Sequence, residues 1–317
     1  MCQPPAPMML PPPFDQALVL TGPTGSGKTS LGIDLAQRLD AEIVSMDSMA
    51  VYRRMDIGTA KPTLAQRDLV PHHLVDVLEP TESASVAWWL DQAKGCVRDI
   101  EARGKQVLFV GGTPLYLKAL ISGLFDGPPA DAAIRSRLTS EVQALGSLAL
   151  HQRLAAVDPV CAGRIHPNDV RRMVRALEVF ELTGKAMSAW QTQWNQESGP
   201  KTDSRALVLW LDLPRELLYE HINRRVVEMF GAGLEDEVRE LLALAQPLSL
   251  EASQALGYKE VFDLVNGTIT REEAIERVQT RSRNFAKRQI AWFRHLPGCE
   301  PVTMELIRMR WASKMTK

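Results

Sequence analysis

One glycine-rich segment near the start of the chain limits the choice of folds more than any other. Residues 22–29 match the pattern G-x-x-x-x-G-K-[ST], in which a tight turn points successive backbone N–H groups at phosphate oxygens. An apolar run at 16–20 precedes the turn and an amphipathic stretch follows it, which predicts a strand, the turn and a helix. The predicted phosphate-binding residues are Gly22, Pro23, Thr24, Gly25, Ser26, Gly27, Lys28 and Thr29. Lys28 adds a positive charge to this loop, and the Thr29 hydroxyl is the expected magnesium ligand.

The same order of strand and helix recurs along the first third of the chain. Predicted strands at 41–48 and 104–113 flank a predicted helix at 85–103. Such alternation is typical of a parallel sheet. We therefore expect an α/β fold whose P-loop NTPase-like core is a parallel sheet flanked by helices.

The middle of the chain has a different character. Residues 121–199 contain helical patterns and no convincing strand, whereas the apolar run 205–214 is expected to rejoin the sheet, with long helices following to about residue 294. A chain of 317 residues favours two units at ~100–200 residues each. The expected organisation is a mobile Pro-rich tail at 1–14, a core made of 15–120 and 200–317, and a helical insertion domain at 121–199.

Net charge and cysteine content limit the partners and the cellular compartment to be expected for this chain. The net charge of −1 gives no overall attraction to nucleic acid or to an anionic membrane, so a polyanionic partner must be held by local basic patches. The four cysteines show neither metal-ligand nor dense disulfide spacing, which favours a reducing cytosol. Neither a secretory leader nor an apolar stretch of ~20 residues is evident, so we expect a cytoplasmic protein that does not engage a membrane.

A phosphate-binding loop does not identify the phosphate compound, since kinases, ATPases and transferases share it. The strand ending in Gly111, Gly112 and Thr113 lacks the aspartate that an ATPase often has there, and Asp212 is better explained as a turn or helix-cap residue. Asp47 follows the second strand, at the rim where parallel sheets bind ligands. From the residues alone, Asp47 is either a catalytic base or a turn cap.

A series of motifs resembles the tRNA dimethylallyltransferase family over residues 16–295. In order they are GPTGSGKT, SMDSMAVYRRMDIGTAKP, VPHHLVDV, VGGTPLYLKALISGL, IHPNDVRRMVRALEVFELTG, ALGYKE and FAKRQIAWFR. The resemblance implies transfer of a dimethylallyl group from dimethylallyl diphosphate to the exocyclic amine of the adenosine immediately 3′ of the anticodon. The implied partner is the anticodon stem-loop of tRNAs reading codons that begin with U, the implied cofactor is Mg²⁺, and we expect a monomer.

The resemblance also implies roles for individual residues. Asp47 is implied to be the general base, while Lys28 and Arg225 are implied to act on the diphosphate. The residues implied to meet tRNA are Asp47, Ser48, Met49, Ala50, Thr113, Arg135, Arg171, Arg172, Met173, Val174, Arg175, Gln254, Gly257, Tyr258, Lys259, Arg283, Lys287, Arg288 and Gln289. The chain departs from the family twice, with Gly25 where alanine is frequent and Ala50 where glutamine is frequent. Ala50 has no side-chain hydrogen bond to offer to RNA.

Several of these features also have a purely structural interpretation. The arginines of 171–175 and the basic segment 281–294 are compatible with solvated helix faces as well as with RNA contacts. His72 and His73 lack a metal-ligand pattern and are interpreted as structural. Competing functions are an adenylate prenyltransferase of the cytokinin type, a small-molecule kinase that uses ATP, and a nucleotide-binding regulatory module.

Overall fold

The chain folds around a parallel β-sheet. The computed structural model describes residues 13–124, 127–190, 207–296 and 298–307. Within these residues the strands are β1 (Leu18–Thr21), β2 (Ala41–Ser45), β3 (His72–His73), β4 (Gln106–Gly111), β5 (Leu207–Leu211) and β6 (Cys299–Val302). They form one sheet in the order β3-β2-β4-β1-β5-β6, and all neighbouring strands are parallel. The α/β fold expected from the alternation of strands and helices is confirmed.

Helices connect the strands and also build a second unit. They are α1 (Lys28–Leu39), α2 (Leu64–Leu69), α3 (Val86–Ala102), α4 (Pro114–Ser122), α5 (Ala132–Leu145), α6 (Ser147–Val157), α7 (Pro159–Ala162), α8 (Val170–Thr183), α9 (Met187–Trp190), α10 (Arg215–Gly231), α11 (Leu234–Leu242), α12 (Leu250–Ser253), α13 (Tyr258–Val265) and α14 (Arg271–His295). The chain divides into two compact units, Met1–Ile121 with Thr202–Lys317, and Ser122–Lys201. None of the helices in the described residues has the length and apolar character to cross a bilayer.

The central strands are almost completely buried. Val19 and Leu20 of β1 and Leu108 and Phe109 of β4 are each at most 2% exposed. Strands covered on both faces need apolar side chains on both faces, which explains why these segments are continuous apolar runs in the sequence. The sheet is therefore the rigid base from which its carboxyl-end loops project.

The phosphate-binding loop has the backbone that its glycines allow. Gly25 and Gly27 have φ values of 81° and 82°, in the left-handed region, and Gly27 is the residue before α1 begins. A Cβ at Gly25 would lie 2.8 Å from Ile222 Cγ1. The alanine that is frequent in the resembling family would therefore require Ile222 to move in this chain.

Two parts of the sheet were not predicted from the sequence. The edge strand β6 contains Pro301, which cannot donate a ladder hydrogen bond and is tolerated only at such an edge. The strand β3 is only two residues long. The predicted tail at 1–14 and the polar segment leading into β5 fall largely at residues 1–12 and 191–206, outside the described residues.

The unit formed by 122–201 has its own apolar core. Leu138, Leu150, Leu154 and Met173 are fully buried at the contacts of α5, α6 and α8. Every regular element in the described residues of this unit, 122–124 and 127–190, is a helix, in agreement with the helical pattern of its sequence.

Candidate active site

A cavity of about 100 Å³ lies at the carboxyl end of the sheet. The loops after β1, β2 and β4 meet there because parallel strands all end at the same edge. Its walls include predicted site residues from four parts of the sequence, namely Thr24, Lys28, Thr29, Asp47, Ala50, Arg225 and Gln289. The structure thus brings Asp47, the phosphate-binding loop and Arg225 to one place.

The two oxygens of the Asp47 carboxylate have different surroundings. Oδ1 accepts hydrogen bonds from the backbone N–H groups of Met49 at 2.9 Å and Ala50 at 3.3 Å. Oδ2 has no hydrogen-bond partner among the described residues. One oxygen therefore caps the turn after β2 while the second remains available in the cavity, so the two interpretations of Asp47 are compatible with each other.

Positive charge is concentrated beside this carboxylate. Burial lowers the pKa of Lys28 to about 8, with the charge of Arg225 adding to the effect and the charge of Asp47 opposing it. Burial also lowers the pKa of Arg225, against the opposing effect of Asp47. Two partly desolvated cations at a phosphate-binding loop are a favourable environment for an anion of high charge density.

Arg225 reaches the loop from α10. Ile222, Val226 and Met229 form the buried face of this helix, as its sequence pattern predicts. Arg224 is exposed and lies 3.8 Å from Glu228, whereas Arg225 turns inward and donates from Nη2 to Thr24 Oγ1. The Arg225 Nε atom is buried and has no hydrogen-bond partner among the described residues. This unpartnered donor fits a diphosphate oxygen.

The loop after β4 is fastened to the loop that carries Asp47. Thr113 Oγ1 accepts a hydrogen bond from Ser48 N at 3.0 Å, and Thr113 N donates to Met46 O at 3.2 Å. A Cβ at Gly111 would overlap the backbone of Met46, so only glycine permits this close approach. Gly111 and Thr113 are both explained by this contact.

Several side chains that were expected to meet tRNA are buried. Met173 is fully buried and Val174 is 7% exposed, because both pack into the core of the helical unit. Tyr258 is fully buried and donates from its hydroxyl to Glu237 Oε1 at 2.6 Å. Gln289 is 2% exposed, with its amide bound to backbone groups of the core unit. Met173, Val174 and Tyr258 are therefore not presented at the surface, and Gln289 lines the cavity.

Two arginines that were expected to meet tRNA form ion pairs with a buried glutamate. Glu178, which is fully buried, accepts hydrogen bonds from Arg135 Nε at 2.8 Å and from Arg175 Nη1 at 2.6 Å. Burial alone would raise the pKa of Glu178, but the hydrogen bonds from both arginines hold it below its ordinary value. Arg135 and Arg175 therefore stabilise the helical unit through Glu178.

The remaining expected tRNA contacts occur in both units of the chain and differ in exposure. Exposed side chains among them are Arg171, Arg172, Gln254, Lys259, Lys287 and Arg288. Arg172 lies 3.3 Å from Asp169, and the half-buried Arg283 donates to Asn223 Oδ1 at 2.5 Å. Gly257 is buried at the start of α13 with φ of 95°. Ser48 and Met49 are half-buried in the Asp47 loop.

Lys61 lies at the cavity but was not among the predicted site residues. Its ammonium is buried, lies 2.6 Å from Asp56 and 2.5 Å from Asp76, and also donates to Tyr52 O. These contacts fix the segment after the Asp47 loop, whose residues 59–62 line the cavity. Lys61 belongs to one of the motifs that carry the family resemblance, and that motif was the only signal for it in the sequence.

The two histidines of the edge strand β3 both form hydrogen bonds. His73 Nε2 lies 2.6 Å from Glu42 Oε2, which also binds Arg103 at 2.7 Å. His72 Nδ1 lies 2.7 Å from Val70 O, burial lowers the pKa of this imidazole, and its ring lines the cavity. In the part of the chain that the structure describes, no group of three or more histidine, cysteine, aspartate or glutamate side chains could hold a metal ion.

Comparison with known families gives two matches. The model of the IPP transferase family matches residues 50–296, and the model of the isopentenyl transferase family matches residues 16–69. The first match covers most of the chain, including α8 and α14. The second covers the phosphate-binding loop and Asp47.

Similar proteins are found among curated sequences and solved structures. A tRNA dimethylallyltransferase of Koribacter versatilis is 47% identical over 283 residues, which cover 88% of this chain and 90% of the relative. The structure of a full-length tRNA isopentenylpyrophosphate transferase from Bacillus halodurans is 38% identical, covers 95% of this chain and 98% of that one, and has a TM-score of 0.65. A eukaryotic dimethylallyltransferase acting on tRNA is 30% identical with a TM-score of 0.70, covering 87% of this chain and 69% of that one.

Proposed function

This chain belongs to the IPP transferase family, and from that premise we propose that it transfers a dimethylallyl group from dimethylallyl diphosphate to an adenosine of tRNA. The acceptor is the exocyclic amine of the adenosine immediately 3′ of the anticodon, in tRNAs that read codons beginning with U. The observation that carries the proposal is the shared cavity of Asp47, Lys28 and Arg225, which places a carboxylate and two cations beside the phosphate-binding loop.

Asp47 meets the need of the attacking amine. The lone pair of an adenine amine is delocalised into the ring, so the amine attacks well only if a base removes its proton. In the proposed step the amine nitrogen forms a bond to the allylic carbon as the carbon–oxygen bond to diphosphate breaks. The bonding electrons leave with the diphosphate, and the amine proton passes to Oδ2 of Asp47.

The phosphate-binding loop and its cations meet the need of the leaving group. Negative charge grows on the diphosphate as it departs, and donors already aimed at that position lower the barrier. The backbone N–H groups at the start of α1, the Lys28 ammonium and the unpartnered Arg225 Nε are such donors. The loop therefore serves to expel a diphosphate and does not transfer a phosphoryl group.

Magnesium fits this arrangement through the diphosphate. Mg²⁺ is usually held by one or two protein ligands together with phosphate oxygens and water. Thr29 lies in the first turn of α1 and lines the cavity, so its hydroxyl would hold the ion. Asp47 lines the same cavity. The ion would neutralise charge on the departing diphosphate.

The target adenosine has to leave its stack to reach Asp47. Bases of single-stranded loops can be splayed out and bound individually, whereas a stacked base is inaccessible to a carboxylate in a cavity. The tRNA would be held by exposed basic residues of α8 and α14, such as Arg171, Arg172, Lys287 and Arg288. We further propose that the protein acts as a monomer in the cytosol, where its substrate is made.

A set of parallel incubations separates this function from its rivals. The protein is given labelled dimethylallyl diphosphate and Mg²⁺ with undermodified tRNA or AMP, and in a separate reaction labelled ATP and Mg²⁺ with candidate acceptors. Label that enters only tRNA, in the nucleoside 3′ of the anticodon, is the expected result. Label in AMP identifies an adenylate prenyltransferase, phosphoryl transfer from ATP identifies a kinase, and binding without turnover identifies a regulatory module.

A further inference from the structure

Gln289 joins the two halves of the site through a single amide. Its Oε1 accepts a hydrogen bond from Thr24 N at 2.9 Å, and its Nε2 donates to Gly112 O at 2.5 Å. The side chain is 2% exposed and lines the cavity. Thr24 belongs to the phosphate-binding loop, and Gly112 belongs to the loop after β4, so α14 holds both through one residue.

The second of these contacts extends to the catalytic carboxylate. Gly112 is followed by Thr113, whose hydroxyl accepts the hydrogen bond of Ser48 N at 3.0 Å, next to Asp47. A Cβ at Gly112 would lie 2.7 Å from Gln289 Nε2 and 3.0 Å from Gly22 O. The absence of a side chain at Gly112 thus makes room for the amide and for the phosphate-binding loop together.

Only an amide satisfies both partners. The Thr24 N–H requires an acceptor and the Gly112 carbonyl requires a donor, and a buried polar group left unpaired is costly. A carboxylate supplies only the acceptor and adds negative charge beside the diphosphate site. An apolar side chain of the same length supplies neither.

We propose that Gln289 is a positioning residue that sets the separation between Asp47 and the phosphate-binding loop. This proposal rests on the proposed function, since it concerns the distance between the base and the leaving group of that reaction. Displacement of reacting groups by about 1 Å lowers a rate by up to ~10²-fold. Loss of the bridge therefore acts mainly on kcat, because both substrates keep the groups that bind them.

The test compares Gln289→Met with Gln279→Met. Gln279 lies on the same helix and also donates from its amide to a backbone carbonyl, that of Asn223 at 3.1 Å, but it does not line the cavity. Transfer to undermodified tRNA is measured at saturating concentrations of both substrates, with KM for each substrate and the thermal unfolding temperature. A wild-type protein without transfer contradicts the proposed function itself, so the two proposals fail separately.

We expect kcat of Gln289→Met to fall by about 10–10²-fold, with KM for tRNA unchanged and an unfolding temperature close to that of Gln279→Met. Gln289→Glu keeps the size and the acceptor, so it serves if the first variant does not fold. It should lose kcat similarly and also raise KM for dimethylallyl diphosphate. If either folded Gln289 variant keeps kcat within about twofold of the Gln279→Met protein, the positioning role is excluded.

Discussion

The surroundings of Asp47 make its turn-capping contact compatible with the proposed role of base. Oδ1 stabilises the turn after β2, and Oδ2 is the oxygen to which we assign the amine proton in the proposed reaction. A carboxylate fixed by backbone donors cannot rotate freely, so the position of the second oxygen is restricted as well. Asparagine keeps the capping oxygen and removes the base, which makes it a cleaner substitution here than alanine.

Asp47→Asn should therefore separate catalysis from binding. We expect transfer to tRNA to fall by about 10²–10⁴-fold, while the affinity for dimethylallyl diphosphate remains close to that of the wild type. Rapid-quench single-turnover rates and equilibrium binding of the diphosphate measure the two quantities. A single-turnover rate near that of the wild type would remove Asp47 from the role of base.

The lowered pKa of Lys28 predicts how diphosphate binding depends on pH. Its pKa in the folded protein is about 8, below its ordinary value of 10.5, so it loses its proton as the pH rises through about 8. Since the charged form binds the anion, affinity should be highest near neutral pH, decline as the pH rises through about 8, and be accompanied by proton uptake near pH 8. Calorimetric titrations of dimethylallyl diphosphate in buffers of different ionisation enthalpy measure both effects. Affinity that does not change between about pH 7 and 9.5 would contradict this assignment.

The arginines of α8 have two kinds of surroundings. Arg171 and Arg172 are exposed, but Arg175 is tied to the buried Glu178 together with Arg135 of α5. The arginines that were expected from the sequence to contact RNA thus fall into two classes, and their substitution has different consequences. Substitution in the first class should affect RNA binding, and substitution in the second should affect folding of the helical unit.

Replacing Arg171 and Arg172 with alanine should weaken binding of tRNA and make it less dependent on salt. Each lost phosphate contact should reduce the slope of log affinity against log salt by about 0.7–0.9. Fluorescence titrations over a range of salt concentrations give the slope, and Arg98→Ala, an exposed arginine of α3, is the matched control. Equal slopes for the double variant and the control would show that α8 does not contact RNA phosphates.

Glu178→Gln should destabilise the helical unit. The amide keeps one acceptor oxygen but removes the negative charge and replaces the other oxygen with a donor, which should cost about 2–3 kcal/mol after allowing for the solvent exposure of Arg135 and Arg175. Glu141→Gln breaks a more exposed ion pair with Arg153 and should cost about 0–1 kcal/mol. Urea unfolding at neutral pH measures both. Because the folded pKa of Glu178 is lowered, its contribution is present above pH 4.5 and declines as the pH falls below that value. Similar unfolding free energies for the two variants would contradict a structural role of this acid.

Features that depend on residues close together in the sequence were predicted better than features that depend on contacts between distant residues. The phosphate-binding loop, the parallel strands and the apolar face of α10 follow from residues close together in sequence, and all three are present. The inward direction of Arg225 and the bridge made by Gln289 depend on residues far away along the chain. The pattern of α10 predicts its buried stripe, but not which flanking arginine meets the Thr24 hydroxyl. Strand β6 was missed because its proline weakens the strand pattern.

The most direct test of the account is a structure of the protein with an undermodified tRNA anticodon stem-loop and an unreactive thio analogue of dimethylallyl diphosphate. We expect the diphosphate on the backbone N–H groups of the loop, in contact with Lys28 and Arg225. The exocyclic amine of the adenosine should lie about 2.6–3.2 Å from Asp47 Oδ2 and about 3–3.5 Å from the allylic carbon. An amine beyond hydrogen-bonding reach of Asp47, or a diphosphate bound away from residues 22–29, would contradict the proposed reaction site.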